Sequence, residues 1–211
     1  MDHDFWLERW NEGTTPWHLD RPNPALVGTW DDVGAPPDAT VFVPLCGRSV
    51  DMAWLAGRGH RVVGSELSEV GVRSFFGDVG LAPVTTSVGP LTRFEGGPFE
   101  LWCGDLFDLP DAALADVGVV YDRAGLVALP PTTRARYAAL MGERLPVDAA
   151  VLLVTVVYDG EEMTGPPFSV DAGEIRALYG DAFELEVAAD DDALERTLGL
   201  RRDLHRALRG R

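Results

Sequence analysis

The sequence predicts an α/β fold, a mostly parallel, doubly wound sheet with helices on both faces, and three observations carry that prediction. Thr40-Val-Phe-Val-Pro-Leu-Cys-Gly-Arg-Ser-Val-Asp51 reads as a buried strand, a tight glycine turn and the start of a helix. Val62-Val-Gly-Ser-Glu66 reads as a second strand that ends on a carboxylate, about twenty positions after the glycine, where such folds hold a ribose. Beyond it, apolar runs of strand length alternate with segments of helical periodicity, and no internal repeat interrupts them.

The elements follow in order. Phe5, Trp6 and Trp10 share one face at helical spacing, so the chain opens with a short amphipathic helix. A loop over 13–24 and a short helix near 25–31 follow, and Pro36-Pro37-Asp38 closes this aromatic preface. Residues 1–211 read as one domain, with 1–38 as a flank or lid too short to hold its own core. Strand 41–45 leads to a helix near 49–58, capped by Ser49 and ended by Gly57 and Gly59, and then to strand 61–66. Ser68 caps a helix with Val72, Phe75 and Phe76 on its inner side. Residues 84–103 read as strands around a Gly-Pro turn, 100–103 being the inner one, and 116–121 as another buried strand. An amphipathic helix over 132–144 precedes 149–158, the most continuous apolar strand. After Gly165-Pro-Pro-Phe168 come a helix near 171–179 and a strand near 183–187. Residues 201–209 fit either a helix or a last edge strand.

Composition narrows the function classes. With 18 basic against 34 acidic residues the formal net charge is −16, which repels polyphosphate backbones, and no basic run compensates. A nucleic-acid partner is therefore not expected, nor is a membrane, since no segment has the length and apolarity to span one. Every basic residue is arginine, so a P-loop, which needs lysine, is excluded. Cys46 and Cys103 lack metal-ligand spacing and read as small core residues in a reducing cytoplasm. No metal site and a monomeric, cytoplasmic protein are expected.

Ligands of such sheets bind at the carboxyl ends of the strands. Those ends read Leu45-Cys46-Gly47, Glu66-Leu67, Gly104-Asp105-Leu106, Asp122-Arg123 and Asp159-Gly160. The first loop has one glycine, Gly47, where a dinucleotide loop uses three for close approach to a pyrophosphate. A ligand with an adenosine and no phosphate fits best, and S-adenosyl-L-methionine is the common one. Glu66 would take the ribose hydroxyls, while Asp105 accepts from the adenine amine and Leu106 packs on its face. The competing reading makes Asp105 a cap of the following turn. Arg123 can orient an electron-rich acceptor or the cofactor's carboxylate, against a plain surface pair with Asp122. Trp6, Trp10 and Trp17 offer faces to a sulfonium cation.

The chain resembles the thiopurine S-methyltransferase family over nearly its full length. The resemblance rests on Phe5-Trp-Leu-Glu-Arg-Trp10, Val43-Pro-Leu-Cys-Gly-Arg-Ser-Val-Asp-Met52 with Trp54-Leu55, Gly59-His-Arg-Val-Val-Gly-Ser-Glu-Leu-Ser68, Gly104-Asp-Leu-Phe107, Tyr121-Asp-Arg-Ala-Gly-Leu-Val-Ala-Leu-Pro130, Arg136-Tyr137 and Gly165-Pro-Pro-Phe168. It implies a Rossmann-like class I methyltransferase with S-adenosyl-L-methionine as methyl donor. It also implies cofactor contacts at Trp10, Leu45, Glu66, Leu106 and Arg123, under an N-terminal segment that closes over the site. Thr15-Pro16-Trp17 is similar to the related thiol and halide methyltransferases, and Arg201-Arg-Asp-Leu-His-Arg206 departs from the family pattern.

The expected reaction methylates a soft nucleophile, a thiol or thiopurine-like sulfur, of a small molecule. Such a group needs no strong base, so no catalytic base is assigned, and His18 reads as a loop residue. A halide, thiocyanate, or selenium or tellurium oxyanion is the alternative acceptor. An NAD-linked reductase would need the glycine-rich loop that is missing, and a non-catalytic nucleotide-binding module is the more remote reading.

Overall fold

A computed structural model of the chain describes residues 3–158, 165–190 and 195–201. Strands β1 (Thr40–Val43), β2 (Arg61–Glu66), β3 (Val84–Val88), β4 (Leu91–Gly96), β5 (Phe99–Cys103), β6 (Val117–Arg123), β7 (Ala150–Val156), β8 (Glu184–Asp190) and β9 (Glu195–Arg201) form one sheet in the order β3-β4-β5-β2-β1-β6-β7-β9-β8. The central run from β5 to β7 is parallel throughout. Both flanks are antiparallel, with β3 and β4 on one side and β9 and β8 on the other. The sequence names strands over 84–103 but not their reversal, and strand β9 goes unread. The helix-or-strand choice for the tail falls mostly on 202–209, outside the described residues.

Helices α1 (His3–Asn11), α2 (Pro24–Thr29), α3 (Val50–Gly57), α4 (Glu69–Asp78), α5 (Pro131–Arg144) and α6 (Ala172–Tyr179) complete the chain. Their starts follow local chemistry. The Ser49 hydroxyl accepts from Asp51 N–H, that of Ser68 from Gly71 N–H, and the Asp171 carboxylate from Glu174 N–H, each satisfying an amide that the first helical turn leaves orphaned.

The sheet buries both faces, as alternation along a parallel strand requires. Phe42, Val63, Val120, Val151 and Leu153 point to one side, where they meet Tyr137, Met141 and Ile175 of α5 and α6. Val41, Val43, Val62, Tyr121 and Leu152 point to the other, against Met52, Leu55, Val72, Phe75 and Phe76 of α3 and α4. The second half of the N-terminal flank belongs to that second core, because Leu26, Trp30 and Val33 pack into it. An Asn23 N–H···Asp51 bond of 2.8 Å fixes the segment to α3. The chain reverses its direction of travel across the sheet at β1, whose neighbours are β2 on one side and β6 on the other. That is the switch point at which ligands of open α/β sheets bind.

Candidate active site at the carboxyl edge of the sheet

A cavity of about 730 Å³ opens at this edge, within the 300–1,000 Å³ range of small-molecule sites. It gathers seven of the eight sequence-predicted residues: Trp10, Leu45, Glu66, Leu67, Asp105, Leu106 and Arg123. Gly47 is the exception. It does not line the space but holds the loop that does, with a φ of +54° and Trp10 and Trp17 packed against its α-carbon. Asp159-Gly160 lies outside the described residues.

Glu66 is the hub of the cavity edge formed by the loops after β1 and β2. Its Oε2 accepts from Gly47 N–H at 2.9 Å and its Oε1 from Ser68 N–H at 2.8 Å, tying the loop after β1 to the loop after β2. Burial pushes its carboxyl up to about 7, against the opposing pull of hydrogen bonds from Ser68, Gly47 and Leu67 N–H and from the Trp10 side chain. Desolvation therefore outweighs the donors in this pocket. Leu45, a non-glycine residue with φ of +48°, and Ala124, with φ of +70°, also line the cavity. Such conformations cost about 1–3 kcal/mol each and persist where surrounding contacts enforce them. At Leu45 the N–H donates to the Ser65 hydroxyl at 3.3 Å. Beside Ala124, Asp122 Oδ1 accepts from both Gly125 and Leu126 N–H.

Asp122 and Arg123 are neighbours with different tasks. Asp122 is buried, and its Oδ2 accepts from the Tyr137 hydroxyl at 2.7 Å. Burial lifts its carboxyl to about 6 although Tyr137 and the two amides stabilise the charge. Arg123 lines the cavity and its Nη1 donates to the Trp17 carbonyl at 2.8 Å. A mutual surface pair is thus not their arrangement. Asp105 combines both readings offered for it, since Oδ1 caps the following turn through Phe107 N–H at 3.0 Å while the residue faces the cavity.

The N-terminal helix roofs the site. Trp6, Arg9, Trp10, Pro16 and Trp17 all line the cavity. Trp10 lies against Gly71, where an added β-carbon would come 3.0 Å from its ring. Trp17 meets Trp6 and Trp10 edge to face, at 5.2 and 6.0 Å between centroids. His18 is outside the cavity lining, and burial together with Arg48 lowers its pKa.

Sequence reasoning missed the opposite wall, built from Val127, Leu129, Thr132, Thr133 and Arg136 with Pro166 and Pro167. A fully buried arginine assembles it. Arg134 Nε donates to the Leu129 carbonyl at 2.9 Å, and its Nη1 to Glu174 at 2.6 Å and the Ser169 carbonyl at 3.5 Å, while its guanidinium lies over Phe168. Phe168 N–H in turn donates to the Val127 carbonyl at 2.7 Å. The signal available in the sequence was the spacing 132, 133, 136 on the helix that follows a strand ending at the sheet's carboxyl edge. Among the described residues no cluster of histidine, cysteine or carboxylate side chains has metal-binding geometry. Cys46 and Cys103 are free thiols, the first buried.

The residues fit an adenosylmethionine-type cofactor: a buried carboxylate at the end of β2, apolar Leu45, Leu67 and Leu106 for the flat groups, and three indoles overhead. Comparison with known proteins agrees. The family model for thiopurine S-methyltransferase matches residues 1–207. A thiopurine S-methyltransferase of Methylococcus capsulatus is 46% identical over 196 residues, covering 92% of this chain and 88% of its own. One from Xanthomonas campestris pv. campestris is 43% identical over 203 residues, covering 96% and 93%. Among solved structures, a TehB-like SAM-dependent methyltransferase of Corynebacterium glutamicum superposes with a TM-score of 0.63 at 13% identity, covering 95% of this chain and 98% of that one. Magnesium protoporphyrin IX methyltransferase of Synechocystis with bound S-adenosylhomocysteine gives 0.63 at 17% identity, covering 96% and 100%. These two likenesses establish the Rossmann-like class I fold. The family model and the two relatives make the chain a member of the thiopurine S-methyltransferase family, an S-adenosyl-L-methionine-dependent S-methyltransferase.

Proposed function

We propose that this enzyme methylates a soft nucleophile, a thiol or thiopurine-like sulfur, on a small molecule. One observation carries the reading. The wall from β6, α5 and the 165–167 turn, where the acceptor would stand, offers Val127, Leu129, Thr132, Thr133, Arg136, Pro166 and Pro167. No carboxylate or imidazole is among those residues, and the nearby Asp122 is engaged by Tyr137 and two amides. A wall whose described residues include no general base suits an acceptor that already carries a reactive electron pair, and positioning then supplies most of the acceleration.

S-Adenosyl-L-methionine supplies a methyl group on a sulfonium, which leaves as the neutral thioether when the acceptor's electron pair takes the methyl carbon. The protein's share is binding and orientation. Glu66 holds the ribose, Leu45, Leu67 and Leu106 enclose the flat groups, and Arg123 orients the acceptor or the cofactor's carboxylate. The cover is the segment through Trp17, held by Trp10 on the Gly47–Gly71 floor and by Arg123 on the Trp17 carbonyl. A closed cover excludes water, and the aromatic faces stabilise the cation by about 0.5–2 kcal/mol.

The test incubates the enzyme with S-adenosyl-L-methionine and, separately, aromatic thiols, a thiopurine, iodide, thiocyanate, selenite and tellurite, reading the S-adenosylhomocysteine co-product. Turnover of thiols and thiopurine above the others supports the reading. Turnover confined to halide or to the oxyanions moves the assignment to those acceptors, and cofactor binding without turnover of any favours a non-catalytic module.

A further inference from the structure

Arg123, Ala124, Val127, Ala128 and Leu129 all line the cavity, and they belong to the last residue of β6 and the short segment that joins it to α5. The sheet alone does not fix this segment. Pairing of β6 with β1 stops at Val120, and pairing with β7 stops at Arg123 opposite Val154. The next residue, Ala124, has a φ of +70°, a conformation that a non-glycine residue keeps only where its surroundings enforce it. Asp122 supplies the enforcement. Its Oδ1 accepts from Gly125 N–H at 3.0 Å and from Leu126 N–H at 3.1 Å, and its Oδ2 accepts from the Tyr137 hydroxyl at 2.7 Å. The fit is close, since a β-carbon on Gly125 would come 2.5 Å from Asp122 Oδ1 and 3.2 Å from the Tyr137 oxygen. Above the value of about 6 to which burial lifts it, the carboxyl is ionised and only accepts, and all three partners are donors. Asp122, Gly125 and Tyr137 stay outside the cavity lining, so this clamp reaches the cavity only through the segment it holds.

We propose that Asp122, fixed by Tyr137, is a positioning residue for methyl transfer: it locks the turn after β6 and thereby sets Arg123 against the cavity and the roof. The assignment rests on the role given to Arg123 above and adds the groups that hold that residue in place. Arg123 stands where β1 no longer supports β6, and its Nη1 reaches the Trp17 carbonyl at 2.8 Å. Releasing the left-handed turn behind it would shift the base of the guanidinium relative to that carbonyl. A misplacement of about 1 Å at such a group costs up to about a hundredfold in rate. The Tyr137 hydroxyl ties the same carboxylate to α5, so one buried side chain joins the arginine to the helix behind the opposite wall.

The experiment is a double-mutant cycle with an accepted thiol, read as kcat/KM. Asp122→Ala should lower it by about tenfold or more in the wild-type background, the effect of one charge-assisted hydrogen bond. In the Arg123→Ala background the same change should cost little, because the group it positions is gone. Asp122→Asn keeps an acceptor for the two amides and should recover most of the loss. Tyr137→Phe leaves both amide bonds in place and should give a smaller loss with the same dependence on Arg123; it decides the matter if Asp122→Ala melts below the assay temperature. Equal losses in both backgrounds would make the clamp a purely structural support and overturn the proposal, as would wild-type activity in a folded Asp122→Ala. Hydrogen exchange reads the geometry without turnover. Residues 15–18 should exchange faster in Asp122→Ala and in Tyr137→Phe while Asn23 N–H stays protected, and unchanged exchange at 15–18 in both overturns the proposal. If no acceptor is methylated, the S-methyltransferase reading fails, and hydrogen exchange alone decides whether Asp122 places Arg123.

Discussion

Replacing Glu66 with glutamine separates two roles that meet in one carboxyl. The amide keeps the shape and one carbonyl oxygen, but it sets an NH₂ group against an amide donor, either Gly47 or Ser68 N–H. Charge-assisted bonds of this kind contribute roughly 1.5–3 kcal/mol. If the carboxylate also takes the ribose hydroxyls, adenosylhomocysteine should bind about tenfold or more weakly. Stability moves with pH in a definite direction. The folded-state pKa is raised from 4.5 to about 7, so the native state keeps a proton that the unfolded chain gives up. The contribution is fully present below pH 4.5 and is lost as pH rises through about 7, with a slope set by the difference in bound protons. A shift of this size corresponds to roughly 3 kcal/mol, or about 6–12 °C in melting temperature for a domain of this length. The variant lacks the titration, so the difference in melting temperature between wild type and Glu66→Gln should decline by that order between pH 4.5 and 8. Differential scanning calorimetry across pH, with ligand titrations of the folded variant, measures both effects. Parallel melting-temperature profiles would refute the buried-carboxyl argument, and unchanged adenosylhomocysteine affinity would refute the ribose assignment.

Three other perturbations follow from the same geometry. Arg123→Ala should lose most activity, about tenfold or more from one charged hydrogen bond, and Arg123→Lys should retain part of it. A fall in kcat together with kcat/KM marks transition-state positioning, whereas a rise in KM alone marks binding. Deleting residues through Trp10 should leave a cooperative melt, because the second half of the flank stays in the core through Leu26, Trp30 and Val33, while cofactor affinity drops; a chain that no longer folds would make α1 part of the core. Gly71→Ala puts a methyl 3.0 Å from the Trp10 ring, an overpacking cost of about 1–3 kcal/mol, and should weaken cofactor binding with altered tryptophan emission; wild-type affinity and emission would show that Trp10 is not seated there in solution.

The cavity edge at β1 and β2 was legible because its determinants are local. Strand β2 occupies the predicted 61–66, and the predicted caps Ser49 and Ser68 sit one residue before their helices. Cavity-lining residues there follow directly from strand ends. The opposite wall of the cavity was not legible, since Leu129, Arg136 and Pro166 meet only through the packing of Arg134 against Ser169, Glu174 and Phe168. Strand β9 escaped notice for a related reason. Glu195-Arg-Thr-Leu-Gly-Leu-Arg201 is charged at both ends, and its pairing with β7 and β8 supplies what its sequence does not advertise.

The adjacent pair Asp122–Arg123 shows how much a simple periodicity decides. Successive side chains of a strand leave opposite faces of the sheet, so alternation alone disfavours an ion pair between neighbours in β6. Asp122 turns to the α5 face and meets Tyr137, while Tyr121, one residue earlier, turns to the α3 face and donates to Asp51. Arg123 ends the strand at the ligand edge, outside both cores, and reaches the Trp17 carbonyl. Asp51 also receives the Asn23 amide. The N-terminal flank is therefore fastened at two points linked through one strand: Tyr121 through Asp51 to its buried end, and Arg123 directly to its roof. A change in Arg123 should loosen the roof without disturbing the anchor at Asn23. Slower hydrogen exchange at Asn23 than at residues 15–18, with only the latter accelerated in Arg123→Ala, is the expected pattern; acceleration at both would mean that the flank opens as one unit.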